Sequence, residues 1–150
     1  MECMFDVGEA EKVKQRVLQL GPQCERQWGK MSAAQMLAHC TVSMQMALGD
    51  VKPPRATMGR ILGPLIKPMA LKDGEPMRRN SPTAQELLIS DERELAEEQR
   101  KLCGMIDRFS AAGPNGCTNH PHAFFGALKP QEWSKLMHKH LDHHLRQFGV

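Results

Sequence analysis

Hydrophobic and polar positions follow a helical period over four stretches of the chain. Residues 9–20 carry one apolar stripe, which the Gly-Pro pair at 21–22 ends. A second stretch begins at Ser32, a good N-cap residue, and ends at Gly49, a typical C-terminal one. Apolar residues cover so much of this second helix that we predict it to be largely buried.

Two further helices are predicted in the second half of the chain. One covers residues 91–110, and the acidic residues Asp91, Glu92 and Glu94 in its first turn suit the helix dipole. The other covers residues 130–148 and has a proline at its first position. Its predicted inward positions are Trp133, Leu136, Met137, His140, Leu141 and His144.

A long proline-rich segment, residues 49–90, separates the second predicted helix from the third. It contains six of the ten prolines: Pro53, Pro54, Pro64, Pro68, Pro76 and Pro82. One short helix fits within it, over residues 57–66. We find no strand pattern and no internal repeat. The sequence therefore predicts a single all-α domain over residues 1–150, a four-helix bundle with a long crossover that need not be simple up-down-up-down.

Composition places the chain among ordinary globular proteins. Hydrophobic residues make up 41% and charged residues 25%, and the net charge of +3 is too small to indicate a nucleic-acid partner. No stretch is long enough to span a membrane, and the N-terminal residues lack the pattern of a secretory signal. Five cysteines, without a Cys-x-x-Cys pair, favour a reduced cytoplasmic protein.

The histidines carry the strongest chemical signal. His140 and His144 are four residues apart, so they share one face of the last helix. His39 stands alone in an apolar stretch of the second helix. Three imidazoles from two helices would leave coordination positions open, which is typical of a catalytic metal site. The alternative for His39 is a core histidine bonded to a backbone carbonyl, and Cys40 points about 100° away from it.

Several neighbours compete for roles near such a site. His138 and His143 are alternative ligands, but we expect both on a solvated face. His120 and His122 precede the last helix, and either could pack in the loop or exchange protons with a substrate. We favour His122 for acid/base work because histidine titrates near neutrality.

One glutamine and two tryptophans are the remaining candidates, and the role of the glutamine is left open. Gln147 lies one turn beyond His144, where it would either orient a ligand or hold substrate, or else remain a partly exposed amide. Trp28 and Trp133 are both predicted to pack rather than to stack on a ligand.

These residues together resemble the DinB/YfiT-like superfamily of metal-binding helical bundles, and within it a branch of unknown function. The resemblance rests on Trp28-Gly29-Lys30-Met31-Ser32 with Gln35 to His39, on the loop from His120 to Leu128, and on the terminal motif His140, His144 and Gln147. It implies one divalent metal held by the three histidines. It also implies an enzyme that transfers or isomerises a small-molecule substrate with a low-molecular-weight thiol.

Our first hypothesis is a thiol S-transferase that uses zinc or nickel to lower the pKa of a bound thiol. Metal-bound water acting as hydroxide is the hydrolytic variant. The second hypothesis is a non-catalytic metal-binding or stress-response protein. The basic residues of the crossover either form a solvated face or steer an anionic thiol. Homodimerisation is left open, and no nucleic acid or membrane partner is expected.

Overall fold

The structure, a computed structural model, describes residues 2–81 and 85–150, so Met1 and Pro82 of the crossover lie outside it. All five long elements are α-helices, and the described residues contain no β-strand. The helices are α1 (Val7–Gln19), α2 (Ala33–Leu48), α3 (Thr57–Ala70), α4 (Leu95–Ala112) and α5 (Pro130–Gln147). Two short 3-10 turns cover Gln85–Leu87 and Pro114–Gly116. The prediction of an all-α protein is confirmed.

The first two helices begin and end where their capping chemistry dictates. Asp6 accepts a hydrogen bond from the backbone N–H of Glu9, so α1 starts two residues before the predicted position. Ser32 and Gln35 form a reciprocal capping box at the start of α2. Gly49 ends α2 in the left-handed conformation, with φ of +82°. These caps confirm the predicted limits of α2.

The predicted start of α4 was wrong by four residues. The helix begins at Leu95, so Asp91 and Glu92 precede it and do not form its acidic first turn. Asp91 forms an ion pair with Arg93, with Nε and Oδ2 2.9 Å apart. Its carbonyl accepts a hydrogen bond from the Gln35 side chain at the start of α2. These contacts hold the segment in an extended path, and Glu97 and Glu98 supply the acidic turn instead.

Helix α3 within the crossover is longer than predicted. It continues through Pro64 and Pro68 to Ala70, instead of ending at residue 66. A proline inside a helix leaves the carbonyl four residues earlier without its usual partner. Those carbonyls belong to Arg60 and Pro64, both exposed residues, so water can satisfy them.

One hydrophobic core is shared by α1, α2, α4 and α5. Its fully buried members include Val17 on α1, Met44 on α2, Phe109 on α4 and Trp133 on α5. Helix α3 contributes no buried side chain to it, since its only buried residues among those described are Gly59 and Gly63. The core therefore consists of side chains from α1, α2, α4 and α5. Within the described residues, no helix has the length and apolarity needed to cross a bilayer.

Candidate metal centre

Three histidines from two helices meet at one point of the structure. His39 on α2 and His140 and His144 on α5 each offer a ring nitrogen, and these nitrogens all lie within 4.8 Å of one another. The Nε2 atoms of His39 and His140 are 2.9 Å apart. In the part of the chain that the structure describes, no other group of three potential ligand residues is this close.

A backbone carbonyl fixes the ring of His39. Its Nδ1 lies 2.8 Å from the carbonyl oxygen of Leu87, at the end of the first 3-10 turn. A carbonyl oxygen only accepts hydrogen bonds, so Nδ1 carries the proton and Nε2 presents a lone pair toward the other histidines. His39 therefore both donates to a backbone carbonyl and faces His140, whereas we had predicted from the sequence that it would do one or the other.

A chain of two hydrogen bonds fixes His144 in the same way. Gln147 Nε2 donates to the carbonyl of Trp28 over 2.7 Å, which leaves Gln147 Oε1 as an acceptor. That oxygen lies 2.9 Å from His144 Nδ1, so this nitrogen carries the proton. Gln147 is 3% exposed, and its interpretation as a partly exposed amide was wrong. Its contacts are those expected of a residue that orients a metal ligand.

Gly29 makes room for this chain, and sequence reasoning did not single it out. It has φ of +84°, a conformation that side chains rarely adopt. A Cβ atom at this position would collide with Gln147 Nε2. The Trp-Gly pair at 28–29 thus supplies both the accepting carbonyl and the space for the amide. The sequence signal for this role was that the pair belongs to the Trp28–Ser32 motif on which the family resemblance rests.

Burial keeps the three histidines neutral. Desolvation is the main cause that lowers the pKa of His39, of His140 and of His144, the last to about 3. The neighbouring histidines lower the pKa of His140 further, since a second positive charge nearby would repel the first. A metal requires neutral imidazole, so the ligands are in the right charge state at pH 7 without having to release a proton.

The residues present fit a divalent ion. Imidazole nitrogens about 2.0–2.1 Å from one tetrahedral ion lie roughly 3.3 Å apart. The 2.9 Å between His39 and His140 is close to this value. Two of the three rings already have their Nδ1 protons committed to acceptors, as is usual for metal-bound histidine. The other distances in the group are at most 4.8 Å, so side-chain rotation would have to bring the three nitrogens to one common ion.

The structure places His122 and His120 in the loop before α5, apart from the cluster of three. His122 Nδ1 accepts from the backbone N–H groups of Phe124 and Phe125, at 3.0 and 3.1 Å. Its ring stacks on Phe125 and also contacts Trp133. Burial lowers its pKa to about 4. His120 Nε2 lies 2.7 Å from the carbonyl of Pro53 and donates to it. Both histidines thus organise the loop, and acid/base work by His122 stays a prediction.

The expectation that His138 and His143 lie on a solvated face was wrong. His138 is buried under the N-terminal segment, where Glu2 Oε2 lies 3.6 Å from its Nδ1. His143 is half-buried against Trp28, with ring centroids 5.4 Å apart. Neither belongs to the group of three histidines that could hold a metal. The segments that cover them are distant in sequence, which is why helical spacing alone missed their burial.

The two tryptophans and Cys40 differ from one another in their surroundings. Trp133 lies in the core, as predicted. Trp28 is only half-buried, and the guanidinium of Arg79 lies 4.0 Å above its ring, so its packing partners are polar.

Cys40 is buried, its thiol contacts Met36, and burial raises its pKa. It therefore does not join the histidines.

Comparison with known proteins identifies a family without an assigned activity. Residues 3–149 match the family model described as a protein of unknown function, DUF1569. No curated protein and no solved structure matches the chain. Because the family model spans nearly the whole sequence, the chain belongs to the DUF1569 family.

Proposed function

We propose that the protein is a divalent-metal-dependent enzyme of the DinB-like type, a thiol S-transferase acting on a small-molecule substrate. Its four core helices would form the DinB-like bundle, with α3 lying in the crossover. His39, His140 and His144 would hold zinc or nickel. The observation that carries the proposal is the convergence of three ring nitrogens within 4.8 Å, on two buried histidines and one half-buried histidine.

Three histidine ligands leave at least one coordination position for another group. A zinc or nickel ion in this position would lower the pKa of a coordinated thiol and so favour the nucleophilic thiolate. Two groups of the chain would orient the metal ligands. The Leu87 carbonyl keeps the proton of His39 on Nδ1, and Gln147 does the same for His144. Gln147 then acts through a ligand rather than on the substrate.

Cobalt substitution tests the proposal. Co²⁺ reports a new thiolate ligand by a charge-transfer band in the near ultraviolet. We expect a low-molecular-weight thiol to produce this band. The loaded protein should also transfer the thiol to an aryl halide, where a carbon–sulfur bond forms, the carbon–halogen bond breaks and halide is released. The His120→Ala variant is the matched control, because His120 hydrogen-bonds to Thr118 and Pro53 and lies outside the three-histidine group. Tight metal binding without a thiolate band or transfer would contradict the transferase.

A non-catalytic metal-binding protein is the second candidate, because the cleft between α1 and α4 and the cavity beside His122 both lie away from the three histidines. A cleft of about 480 Å³ lies between α1 and α4, lined by residues such as Lys14 and Cys103. A much smaller cavity lies beside His120 and His122. Neither cavity is lined by a residue of the three-histidine group. The cobalt experiment separates the candidates, since a closed site would hold the ion without admitting a thiol.

A further inference from the structure

Helix α3 exposes an apolar stripe that no part of the described chain covers. Four of its large side chains are between 61% and 72% exposed, and these are Met58, Ile61, Leu65 and Met69. Ile66, on the same helix, is 37% exposed. Of the eight large hydrophobic residues that are exposed among those described, these five lie on α3. Such a concentration on one short helix marks an interaction surface rather than the scattered exposure of an ordinary surface.

The opposite side of α3 is already fixed to the protein. Gly59 and Gly63 approach the loop before α5 so closely that a Cβ at Gly59 would lie 2.5 Å from the Cα of Phe124. Arg55, just before the helix, donates to the carbonyls of Ala123 and Phe124. The helix is therefore seated by its glycines, and the apolar stripe is held facing outward.

The charges of α3 lie away from this stripe. On an ideal helix, Arg60 and Lys67 each point about 100° or more away from every residue of the stripe. Lys67 is also paired with Glu132, with Nζ and Oε2 3.1 Å apart. The stripe thus lacks the basic border that helps an interfacial helix bind anionic lipid. Two such stripes can meet without bringing like charges together.

We propose that the stripe is the interface for a second copy of this chain, with α3 of each copy packed antiparallel about a two-fold axis. The stripe is symmetric about residues 63–64, so Met58 of one copy would lie beside Met69 of the other, and Ile61 near Leu65. Complete cover of the five exposed side chains on both copies would bury on the order of 1,000 Å², the lower bound of a specific interface. We expect a reversible dimer that does not depend on metal.

Light scattering on a size-exclusion column tests the dimer directly. The wild type at micromolar concentration should elute with twice the chain mass, and Leu65→Glu should elute as a monomer with unchanged far-ultraviolet circular dichroism. Leu18→Glu is the matched control, because Leu18 is 58% exposed on α1 and should leave the dimer intact. Met58→Lys gives a second test if Leu65→Glu folds poorly.

Three results would overturn the inference. The first is a monomeric wild type at about 100 µM. The second is a dimer that persists in both Leu65→Glu and Met58→Lys, which would place the interface elsewhere. The third is a monomer that sediments with phosphatidylglycerol vesicles and loses this binding in Leu65→Glu, which would assign the stripe to lipid.

Discussion

The protein uses histidine in two contrasting ways, in the three-histidine group of α2 and α5 and in the loop before α5. In the candidate metal centre, Nδ1 of His39 and of His144 donates to an acceptor, and Nε2 of each faces the other histidines of the group. In the loop, His122 Nδ1 accepts hydrogen bonds from two backbone N–H groups, and His120 Nε2 donates to a backbone carbonyl. His39 and His144 are buried, whereas His140, His120 and His122 are half-buried.

The difference lies in which ring nitrogen remains available and what surrounds it. A histidine whose lone pair caps backbone N–H groups stabilises a loop, and its protonation breaks that cap. A histidine whose proton is held on the far side presents its lone pair to an ion. Partial burial does not set His122 apart, since His140 is also half-buried, whereas the two N–H partners of its Nδ1 do.

The largest effect that separates the two groups concerns pH. Burial lowers the pKa of His122 to about 4, while the unfolded chain keeps a value near 6.5. The stability that this neutral histidine contributes is fully present above pH 6.5 and is lost as the pH falls toward 4. His122→Asn keeps an acceptor for the two N–H groups but does not titrate. Between pH 7 and 4, we expect wild type to lose about 3 kcal/mol more than this variant in denaturant unfolding. Equal losses would show that His122 does not titrate as a buried group.

The next effect concerns the hydrogen bond behind His144. Gln147→Ala removes the acceptor for Nδ1, so we expect zinc affinity to fall about 10- to 100-fold. Gln147→Glu keeps an acceptor, and it should retain most of the affinity although it loses the donor to Trp28. Zinc titration against a competing chelator measures both variants. If the alanine variant binds zinc like the wild type, Gln147 does not orient the ligand.

The smallest effect is expected at Gly29, and the chain offers a matched control. Gly29 and Gly74 have φ of +84° and +74°, so alanine costs about 1 kcal/mol of backbone strain at either position. Only at Gly29 does the new Cβ meet Gln147, whereas Gly74 faces open space. We expect Gly29→Ala to lower zinc affinity a few-fold and Gly74→Ala to leave it unchanged. Equal affinities would show that the Gln147 amide has room to shift.

The fold could be predicted where local chemistry decides it. Ser32 and Gly49 mark the ends of α2, and the apolar period identifies the helices that form the core. The start of α4 could not be predicted, because it depends on a long-range contact between Asp91 and Gln35. The exposed stripe of α3 could not be predicted either, since it follows from how Gly59 and Gly63 meet a distant loop.

In the candidate site, too, local spacing could be predicted from the sequence and long-range contacts could not. The spacing of His140 and His144 and the isolation of His39 predict the three nitrogens that the structure brings together. The acceptors behind them were harder to find, because the Leu87 carbonyl is a backbone group with no sequence signature. The burial of His138 depends on the N-terminal segment around Glu2, and helical spacing says nothing about such coverage.

The metal content of the protein tests the central claim most directly. After zinc loading and desalting, plasma mass spectrometry should find about one ion per chain in the wild type and in His120→Ala. His140→Ala should hold almost none while keeping its helical circular dichroism. A wild type that holds no zinc, nickel or cobalt after loading, or a His140→Ala variant that still holds a full equivalent, would contradict a metal centre built on His39, His140 and His144.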